Sequence, residues 1–423
     1  MTEHDVIILI GPSSPTLTHA ERLGLDCLVI DAPPNLALLP QSTTATPLDL
    51  DTLLTDPMAK PATPPQSTGT TLLGIDYWRW PAATFVDLVK ALYPDRHCLG
   101  ALSLTDRGQL LSAEVNHLLG APDNPLDAVQ AVVGKDFMRA ALAGEPGLAI
   151  GYQLARDEPE AAEAIDRLGL PVIAKPTVGA GSLGVLKVSR REELSALRYP
   201  VLFEELLVGT QYSVEAFSVD GEHHVLSITK TMLGESGTGK EFIVYGHVLP
   251  APLPTETEQA VADSLKSTLD TLGIVTGLTH TEVMVTADGV RPIESHTRNG
   301  GQHIVDMIRM TTGFDPIQAA VRQRAGLDVT RLLAARTRRG TAVMRHLEAE
   351  PGTVVSLRGE DLARYQRHIV DVRIGTAVGE VVCRTRYSSD QVGYVLAYAP
   401  TAEEAIAAAR NAAQLVEIVV RAD

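Results

Sequence analysis

The chain has 423 residues, which predicts two or three domains, and its 45% apolar and 21% charged content is typical of a soluble globular protein. A net charge of −16 argues against a nucleic-acid partner. Cys27, Cys98 and Cys383 are far apart, which predicts a reducing compartment rather than a disulfide or zinc framework. No apolar run approaches the ~20 residues of a membrane span and no signal peptide is recognisable, so we expect a cytoplasmic protein with no membrane partner.

The first 124 residues predict a parallel α/β domain. Val6 to Ile10 and Cys27 to Ile30 are short apolar runs separated by a helical stretch, the pattern of a β-α-β unit. A Pro-, Ser- and Thr-rich stretch follows, with one short predicted helix, Leu48 to Leu54. The single glycine at the first turn leaves a purely structural unit and a nucleotide-binding unit equally open. A turn at Asp123-Asn124-Pro125 marks the predicted domain boundary.

Residues 125–335 predict a second domain that divides near residue 200. It opens with a helix from Leu126 to Leu142, which places Lys135 and Arg139 on one face. A strand ending at Lys175 then leads into a glycine loop, and a second strand begins at Val185.

The glycine loop predicts a phosphate-binding flap. Gly179, Gly181 and Gly184 match the dinucleotide fingerprint literally, but that motif requires a following helix and the pattern here predicts a strand. Successive glycine N–H groups can still cradle an anion, with Lys175 as the adjacent cation. A simple mobile hairpin is the alternative. Gly234 to Lys240 is a near-miss P-loop that lacks the next Ser or Thr, and Gly234 to Gly239 is predicted to be a flexible loop.

Residues 282 to 301 predict a metal-phosphate site. Asp288-Gly289 is a strong hairpin signal that brings Glu282 beside Glu294. Strand alternation then places Glu294, His296 and Arg298 on one face. Carboxylates next to a phosphate loop favour Mg²⁺ held with ATP, with Mn²⁺ as an alternative ion. A transition-metal site that includes His280 is the other interpretation, although His280 is expected to be structural.

Residues 336–423 predict a small α+β domain. Short strands alternate with polar loops before a terminal helix, and the predicted elements are Ala342 to Arg345, Ile369 to Arg373, Gly393 to Ala397 and the helix Ala402 to Ala413.

The order of these parts resembles the ATP-grasp superfamily over about Val129 to Asp315. The parts are Lys135, Lys175 with its flap, E-E-L-L-V-G-T-Q-Y-S-V-E from Glu204, then Glu282, and E-S-H-T-R-N-G-G from Glu294. The tail, with G-Y-V-L-A-Y-A-P-T-A-E-E-A, resembles the closing domain of the amino-acid ligase branch, which includes dipeptide synthetases and carnosine-synthase-like enzymes. The resemblance implies an ATP-grasp fold with an N-terminal parallel α/β domain and a small C-terminal α+β domain.

The resemblance also implies where ATP binds. Lys135 and Lys175 would contact its phosphates, with Lys175 also acting in catalysis. The other nucleotide-binding positions would be Gly179, Gly181, Ser182, Gly184, Glu204, Glu205, Leu206 and Gln211. Gln211 stands where the family usually has a ribose-binding Glu. From the residues alone, Glu204 and Glu205 are equally consistent with a solvated charge pair.

For the metal and the substrate, the resemblance implies that Glu282 and Glu294 hold Mg²⁺. His296 replaces the Asn that the family usually has at this position. Arg298 would be catalytic, and the other positions expected to meet the phosphoryl group or the substrate are His296, Gly300 and Gly301.

The activity that the resemblance implies is carboxylate–amine ligation, in which ATP converts a carboxylate into an acyl phosphate and an amine displaces phosphate. Two amino acids are the expected substrates. A homodimer is one assembly that the sequence permits. The alternatives are a γ-glutamyl-amino-acid ligase, a purine-biosynthesis or carboxylase-type ATP-grasp enzyme, and a non-enzymatic ATP-sensing module.

Overall fold

The computed structural model describes residues 5–39, 46–48, 69–179, 181–234, 242–385 and 390–422, with only the backbone of 46–48 described. The architecture is mixed α/β, with one parallel sheet and three antiparallel sheets. Within these residues, no helix has the length and apolar character needed to cross a membrane. The predicted combination of α/β and α+β structure is confirmed.

The N-terminal part forms a five-stranded parallel sheet. Its strands are β1 (Val6–Ile10), β2 (Asp26–Asp31), β3 (Thr46–Leu48), β4 (Thr70–Gly74) and β5 (Cys98–Leu102). Their spatial order is β3-β4-β2-β1-β5. Every residue of β1 is buried, because helices cover both faces of the sheet. The helices of this part are α1 (Ser14–Arg22), α2 (Pro33–Leu36), α3 (Ala82–Leu92) and α4 (Gln109–Leu119), with a 3-10 turn at Tyr77–Arg79.

The predicted β-α-β opening is therefore present, and Gly120 ends α4 in the left-handed conformation at φ 65°. The predicted helix from Leu48 to Leu54 is wrong at Leu48, which ends β3, and the remainder of that range lies outside the described residues. The flexible loop predicted from Gly234 to Gly239 also lies outside them, except for Gly234 itself.

The predicted single helix from Leu126 to Leu142 is two helices, α5 (Leu126–Val133) and α6 (Lys135–Leu142). Gly134 between them is extended, at φ −98° and ψ 114°. Glycine has a low helix propensity, so the chain bends there at little cost. The bend makes Lys135 the first residue of a new helix, and both Lys135 and Arg139 are buried on its inner face.

A four-stranded antiparallel sheet follows. Its elements are β6 (Tyr152–Ala155), α7 (Glu158–Leu168), β7 (Val172–Lys175), β8 (Leu186–Val188), a 3-10 segment (Arg191–Ala196) and β9 (Val201–Glu205). The strand order is β6-β9-β7-β8, so the glycine loop does connect two hairpin strands. The sequence Ser189-Arg-Arg-Glu192 has the pattern of a capping box and predicts a helix to about Arg198, but the structure has only a 3-10 segment there. Glu193, rather than Glu192, accepts the Ser189 N–H at 2.9 Å.

The largest sheet has eight antiparallel strands. The middle of the chain contributes β10 (Gly209–Val219), β11 (Glu222–Leu233), β12 (Val244–Leu249), β13 (Gly277–Thr286) and β14 (Gly289–His296). The helices around them are α8 (Thr255–Leu272), α9 (Ile304–Thr312), α10 (Pro316–Arg324) and α11 (Thr330–Ala334). Apolar residues of α8, including Val261, Leu265 and Leu269, share one buried core with residues of β10, β11, β13 and β14.

The C-terminal segment contributes strands to the same sheet. Its elements are β15 (Thr341–His346), β16 (Gly352–Arg358), α12 (Glu360–Arg364), β17 (Ile369–Ile374), β18 (Val381–Val382), β19 (Gly393–Ala399), α13 (Ala402–Leu415) and β20 (Glu417–Arg421). The eight-stranded order is β14-β13-β10-β11-β12-β15-β19-β17, while β18-β16-β20 form a separate small sheet.

Candidate active site

A cavity of about 620 Å³ is enclosed by residues of the four-stranded and eight-stranded sheets and by the loop after β5. Most of the site residues expected from the sequence line it. They are Lys135, Lys175, Gly179, Gly181, Ser182, Glu204, Glu205, Leu206, Gln211, Glu282, Glu294, Arg298 and Gly301. Gly184, His296 and Gly300 do not line it but are close in sequence to residues that do. The structure thus gathers positions up to 166 residues apart in the chain around one space.

A buried ion cluster lies at the edge of the cavity. Lys175 Nζ is 2.8 Å from Glu204 Oε2, and Arg139 Nε donates to Glu204 Oε1 at 2.6 Å. Burial lowers the pKa of the Lys175 ammonium, an effect that Glu204 opposes. Burial alone would raise the pKa of Glu204, but the two cations outweigh it and the pKa is lowered. Glu204 is therefore an ionised carboxylate that orients Lys175, and the solvated-pair interpretation is wrong for it.

Lys135 reaches the same edge from the first turn of α6. Its backbone N–H donates to the Thr177 carbonyl at 2.9 Å, which ties the helix to the flap hairpin. Its ammonium donates to the Gly179 carbonyl and lies 3.1 Å from Glu294 Oε2. Two lysines from different elements are therefore presented together, as the sequence predicts.

The flap between β7 and β8 has an unusual backbone. Gly179, Gly181, Ser182 and Gly184 all have positive φ, at 131°, 66°, 60° and 77°. Glycine accepts such values without steric cost, which explains its repetition here. A Cβ added at Gly179 or Gly181 would meet nothing within 4 Å, so these two glycines are needed for conformation or for a ligand rather than for packing.

The predicted hairpin is formed by β13 and β14. Glu282 pairs with Glu294 in the register, and both side chains face the cavity. Gln211 donates to Glu282 Oε2 at 2.9 Å, so the residue expected near ribose holds a carboxylate instead. Burial would raise the pKa of Glu294, but His296 and Lys135 hold it well below its ordinary value.

His296 lies between two carboxylates. Its Nε2 is 3.3 Å from Glu294 Oε1 and its Nδ1 is 3.6 Å from Asp106 Oδ1. The ring is 4% exposed, and neither nitrogen makes a well-aligned hydrogen bond with a described residue. His296 is thus placed to orient Glu294.

A second buried cluster supports the hairpin. His280 Nδ1 is 2.5 Å from Glu215 Oε1 and its Nε2 is 3.7 Å from Glu282 Oε1. Burial would lower the pKa of His280, but the Glu215 carboxylate outweighs it and raises the pKa to about 10. Glu215 Oε2 also accepts the Gly300 N–H at 2.9 Å, and a Cβ at Gly300 would lie 2.8 Å from Oε1. The expected structural role of His280 agrees with this geometry, and Gly300 is fixed by Glu215 rather than open to a ligand.

The N-terminal domain reaches the site beside Arg298. Arg298 Nε donates to Asp106 Oδ1 at 2.6 Å, and its Nη1 donates to the Asn299 carbonyl at 2.7 Å. Gln109 Oε1 accepts from both the N–H and the hydroxyl of Thr297, at 3.0 and 2.9 Å. The guanidinium is 10% exposed and faces the cavity.

The part of the cavity wall next to Glu205 is largely apolar. Glu205 is exposed, and its Oε1 accepts the Gly151 N–H at 3.0 Å. Leu206, Leu207 and Met284 line the wall beside it. A planar base fits such a wall, with backbone groups as its polar partners. An adenine role for Glu204 can use only its backbone, because its carboxylate is fully engaged.

Several site residues are not identifiable from the sequence. Asp106 is in the first domain, Arg139 has the pattern of an ordinary helix arginine, and Glu215 lies in a long strand. His247 and Gln302 also line the cavity, with His247 Nε2 2.6 Å from Gln302 Oε1. Burial lowers the pKa of His247 to about 4, so this imidazole is neutral. The left-handed φ of Gln302, 51°, is a backbone signal that the sequence does not carry.

Comparison with known families identifies this architecture. Residues 168–306 match the model of an ATP-grasp domain, and residues 345–421 match that of the L-amino acid ligase C-terminal domain 2. Together the two matches span more than half of the chain and include both hairpins of the site. The chain belongs to the ATP-grasp superfamily.

Sequence relatives agree with this assignment. The chain is 28% identical over 304 residues to the uncharacterized protein y4rH of Sinorhizobium fredii, covering 69% of this chain and 61% of that protein. It is 28% identical over 250 residues to a D-alanine–D-alanine ligase of Corynebacterium jeikeium, covering 54% of this chain and 61% of the relative. The aligned region thus spans about three fifths of the length of each relative.

Solved structures share the fold along the whole ATP-grasp chain. An L-amino acid ligase from Bacillus licheniformis superimposes with a TM-score of 0.79 at 18% identity, covering 100% of both chains. A phosphoribosylglycinamide synthetase from Anaerococcus prevotii superimposes with a TM-score of 0.70 at 14% identity, covering 99% of this chain and 100% of that one. At these identities the likeness concerns the fold alone.

The donor set of this ATP-grasp cavity fits a magnesium ion that arrives with a nucleotide. Among the described residues, no group of three or more His, Cys, Asp or Glu side chains is arranged to hold a metal, so a transition-metal site is not supported. Glu282, whose side chain is 27% exposed, and the adjacent Glu294 supply hard oxygen donors. Mg²⁺ usually takes one or two carboxylates and completes its shell with phosphates and water, which matches this pair.

Proposed function

We propose that this protein is an ATP-dependent carboxylate–amine ligase that joins two amino acids through an acyl phosphate. The γ-phosphoryl group of ATP passes to a carboxylate oxygen, with release of ADP. The amine of the second amino acid then attacks the acyl carbon, phosphate leaves and an amide bond forms.

The observation that supports this most strongly is the arrangement of cations around the cavity. Lys135, Lys175 and Arg298 come from three separate elements, and all three are buried and face the same space. Each lies beside a carboxylate, so the charges are held in place before any ligand binds. Preorganised cations that need no reorientation are what stabilises the charge that develops during phosphoryl transfer.

The chain's own residues have separate tasks in this reaction. Lys175, oriented by Glu204, binds the ATP phosphates, and Lys135, which stays beside Glu294, binds a phosphate oxygen as well. Arg298 neutralises charge on the substrate carboxylate and on the acyl phosphate. Glu282 and Glu294 would hold Mg²⁺, which when bound neutralises phosphate charge and orients the γ-phosphoryl group.

The flap gives the reaction its protection from water. Val178 and Leu183 expose 64% and 56% of their surface, yet both line the cavity. Closure of the flap over a bound nucleotide would bury these apolar side chains. The closed flap would also keep water from hydrolysing the acyl phosphate. Glycine conformations in the loop permit this movement without strain.

The test is an ADP-release screen of the twenty amino acids singly and in pairs with ATP and Mg²⁺, with mass detection of products. Release that depends on an amino acid, with a product equal to two amino acids minus water, would support the proposal. A γ-glutamyl product would be distinguished by fragmentation. ADP release only with a ribonucleotide substrate would indicate the purine-type alternative, and nucleotide binding with no turnover would indicate a sensing module.

A further inference from the structure

A second cavity, of about 740 Å³, lies where β12 ends, beside the first half of β11. Its wall includes Val225 to Ile228 of β11, the segment that follows β12, the first turns of α8 and the chain around Leu333 to Arg338. The active-site cavity is lined by other residues of the same two strands, among them Thr231 and His247, and no described residue lines both. The volume suits a small organic molecule, and the proposed ligase reaction makes no use of this space.

Arg336 places a positive charge in the wall of the second cavity. Its side chain is half-buried, and two backbone carbonyls hold it, since Nε donates to Leu333 and Nη1 to Val225, each at 2.8 Å. A guanidinium has five N–H donors, so these two bonds leave three available. In the described part of the chain, no carboxylate pairs with Arg336, and burial lowers its pKa without an opposing charge. The guanidinium is therefore fixed in position and has no anionic partner among these residues.

This distinguishes Arg336 from the cations around the active-site cavity. Lys135, Lys175 and Arg298 each lie beside a carboxylate of the protein. The neighbouring Arg338 also has one, because its Nη1 is 3.2 Å from Glu258 Oε1. Withdrawing a charge from water is unfavourable unless an opposite charge compensates it. A molecule that brings an anion to Arg336 would supply that compensation.

The rest of the wall favours a molecule with an apolar body over a small inorganic ion. Residues with aliphatic side chains line it, and they include Leu226, Ile228, Leu249, Leu253 and Leu333. Methylene groups that enter such a space leave water, which favours binding. The wall also contains Glu258, whose carboxylate would repel the second charge of a phosphate dianion. A single negative charge on an aliphatic molecule matches these surroundings.

We propose that the second cavity binds a small aliphatic carboxylate, with the carboxylate on Arg336 and the hydrocarbon part against the leucine side chains. The N–H groups of Arg336 that are not bonded to carbonyls bind the carboxylate oxygens, and charge-assisted hydrogen bonds of this kind are among the stronger ones. Three kinds of molecule share this chemistry, namely a branched carboxylic acid, an aliphatic amino acid and an aliphatic dipeptide. The site goes beyond the proposed ligase function and does not depend on it.

Calorimetric titration without nucleotide tests the binding. The three probes are 4-methylpentanoate, leucine and leucyl-leucine, so the experiment identifies which source of the carboxylate the cavity accepts. The uncharged 4-methylpentanamide and inorganic phosphate are the control ligands. We expect at least one of the three carboxylates to bind about 10-fold more tightly than the amide, because the amide cannot form a charge-assisted contact with the guanidinium. Equal binding of the amide, or tighter binding of phosphate, would overturn the proposal.

Substitutions assign the binding to one of the two cavities. Arg336→Gln removes the charge and should weaken binding of the carboxylate by about 10-fold. Arg331→Gln, at an exposed position of α11 that does not line the cavity, is the matched control and should bind as wild type does. Arg298→Gln alters the active-site cavity and should leave this binding in place. Binding that Arg336→Gln leaves unchanged, or that Arg298→Gln abolishes, would contradict the site.

A further variant tests the site when Arg336→Gln lowers the Tm. Ala262 lies on α8 in the cavity wall, so Ala262→Phe should fill the space and weaken binding while Arg336 is kept. A variant that still binds the carboxylate as wild type does would show that the ligand lies elsewhere.

Hydrogen–deuterium exchange of the wild type locates the ligand without any substitution. The bound carboxylate should slow exchange in residues 249–259 and 333–339, which form the wall of the second cavity. Protection confined to residues 282–301 of the active site, or no binding of any of the three carboxylates, would overturn the inference. ADP release tests the ligase function separately, so failure of either proposal is recognisable without the other.

Discussion

Two hairpins face the same cavity and differ in how firmly they are held. The flap hairpin, β7–β8, has three paired positions and a ten-residue connection, and its Leu183 and Leu186 are more than half exposed. The carboxylate hairpin, β13–β14, which carries Glu282 and Glu294, turns at Ala287-Asp288 and pairs back to His280 and His296 with one bulge beside Glu282. Thr281 and Ser295 are fully buried within it and lie 2.8 Å apart through their hydroxyls. The carboxylate pair Glu282 and Glu294 therefore lies on the firmly held hairpin, and the glycine loop belongs to the loosely held one.

Glu294→Gln tests the rigid hairpin and should have the largest effect. Removing the charge that Mg²⁺ and Lys135 share should lower turnover by roughly 10²-fold or more, since metal-assisted charge stabilisation is worth several kcal/mol. The rate of ADP release, measured over a range of Mg²⁺ concentrations, reports this loss of turnover. The exposed Glu222→Gln on β11 is the control. A near-normal rate with normal Mg²⁺ dependence would remove Glu294 from the metal site.

This variant should also be less stable than the wild type. The lowered pKa of Glu294 means that the fold favours the ionised carboxylate, and a neutral amide leaves Lys135 without its partner charge. Differential scanning fluorimetry without nucleotide should therefore show a lower Tm. Stabilisation by ATP with Mg²⁺ should shrink as well.

Lys175→Ala tests the cation at the base of the flap. Loss of a buried phosphate-binding charge should raise the KM for ATP and lower kcat, each by roughly 10-fold. Arg139 still pairs with Glu204 in this variant, so the protein should fold. Steady-state kinetics are compared with those of Lys187→Ala, which alters an exposed lysine on β8. Unchanged values would exclude Lys175 from the site.

Gly181→Val tests the loose hairpin. A β-branched residue is strained at φ 66°, and a mobile loop should absorb that strain, so activity should fall by about 10-fold while Tm changes by about 2 °C or less. Gly24→Val is the matched control, because Gly24 has φ 71°, open surroundings and a place far from the cavity. A large loss of Tm with proportionate loss of activity would indicate that the flap is structural.

His296→Asn should have the smallest effect. If the imidazole only orients Glu294, an amide that can also hydrogen-bond should keep turnover within about 3-fold of wild type. A changed preference among amino acids with unchanged ATP affinity would place His296 at the substrate instead. Full activity of His296→Ala would contradict both roles.

The sequence predicts the local parts of the site well because their signals are local. The Asp288-Gly289 turn signal correctly predicts a hairpin that brings Glu282 alongside Glu294, although the chain turns at Ala287-Asp288 and a bulge beside Glu282 sets the final register. The strand pattern that follows the glycines correctly predicts a hairpin rather than a Rossmann turn. These inferences use only residues within about 20 positions of one another.

What the sequence does not predict depends on tertiary packing. Arg139 is an ordinary helix residue until α6 packs against β9 and β14, where its guanidinium reaches Glu204 and the carbonyls of Pro292 and Ile293. Asp106 meets Arg298 across 192 positions of chain. Long-range pairs of this kind leave no periodic signal, because neither residue's neighbours reveal its partner.

The pairing of β12 with β15 limits where this chain can be truncated without exposing a strand edge. Gly246 to Leu249 pair with Arg345 to Ala342 in a continuous antiparallel ladder. A truncated chain that ends near residue 336, where sequence patterns suggest a boundary, would lack β15. The backbone groups of β12 that pair with β15, including those of His247 at the cavity, would then have no hydrogen-bond partners. Unpaired edges recruit other chains, so such a fragment should precipitate rather than serve as a minimal catalytic unit.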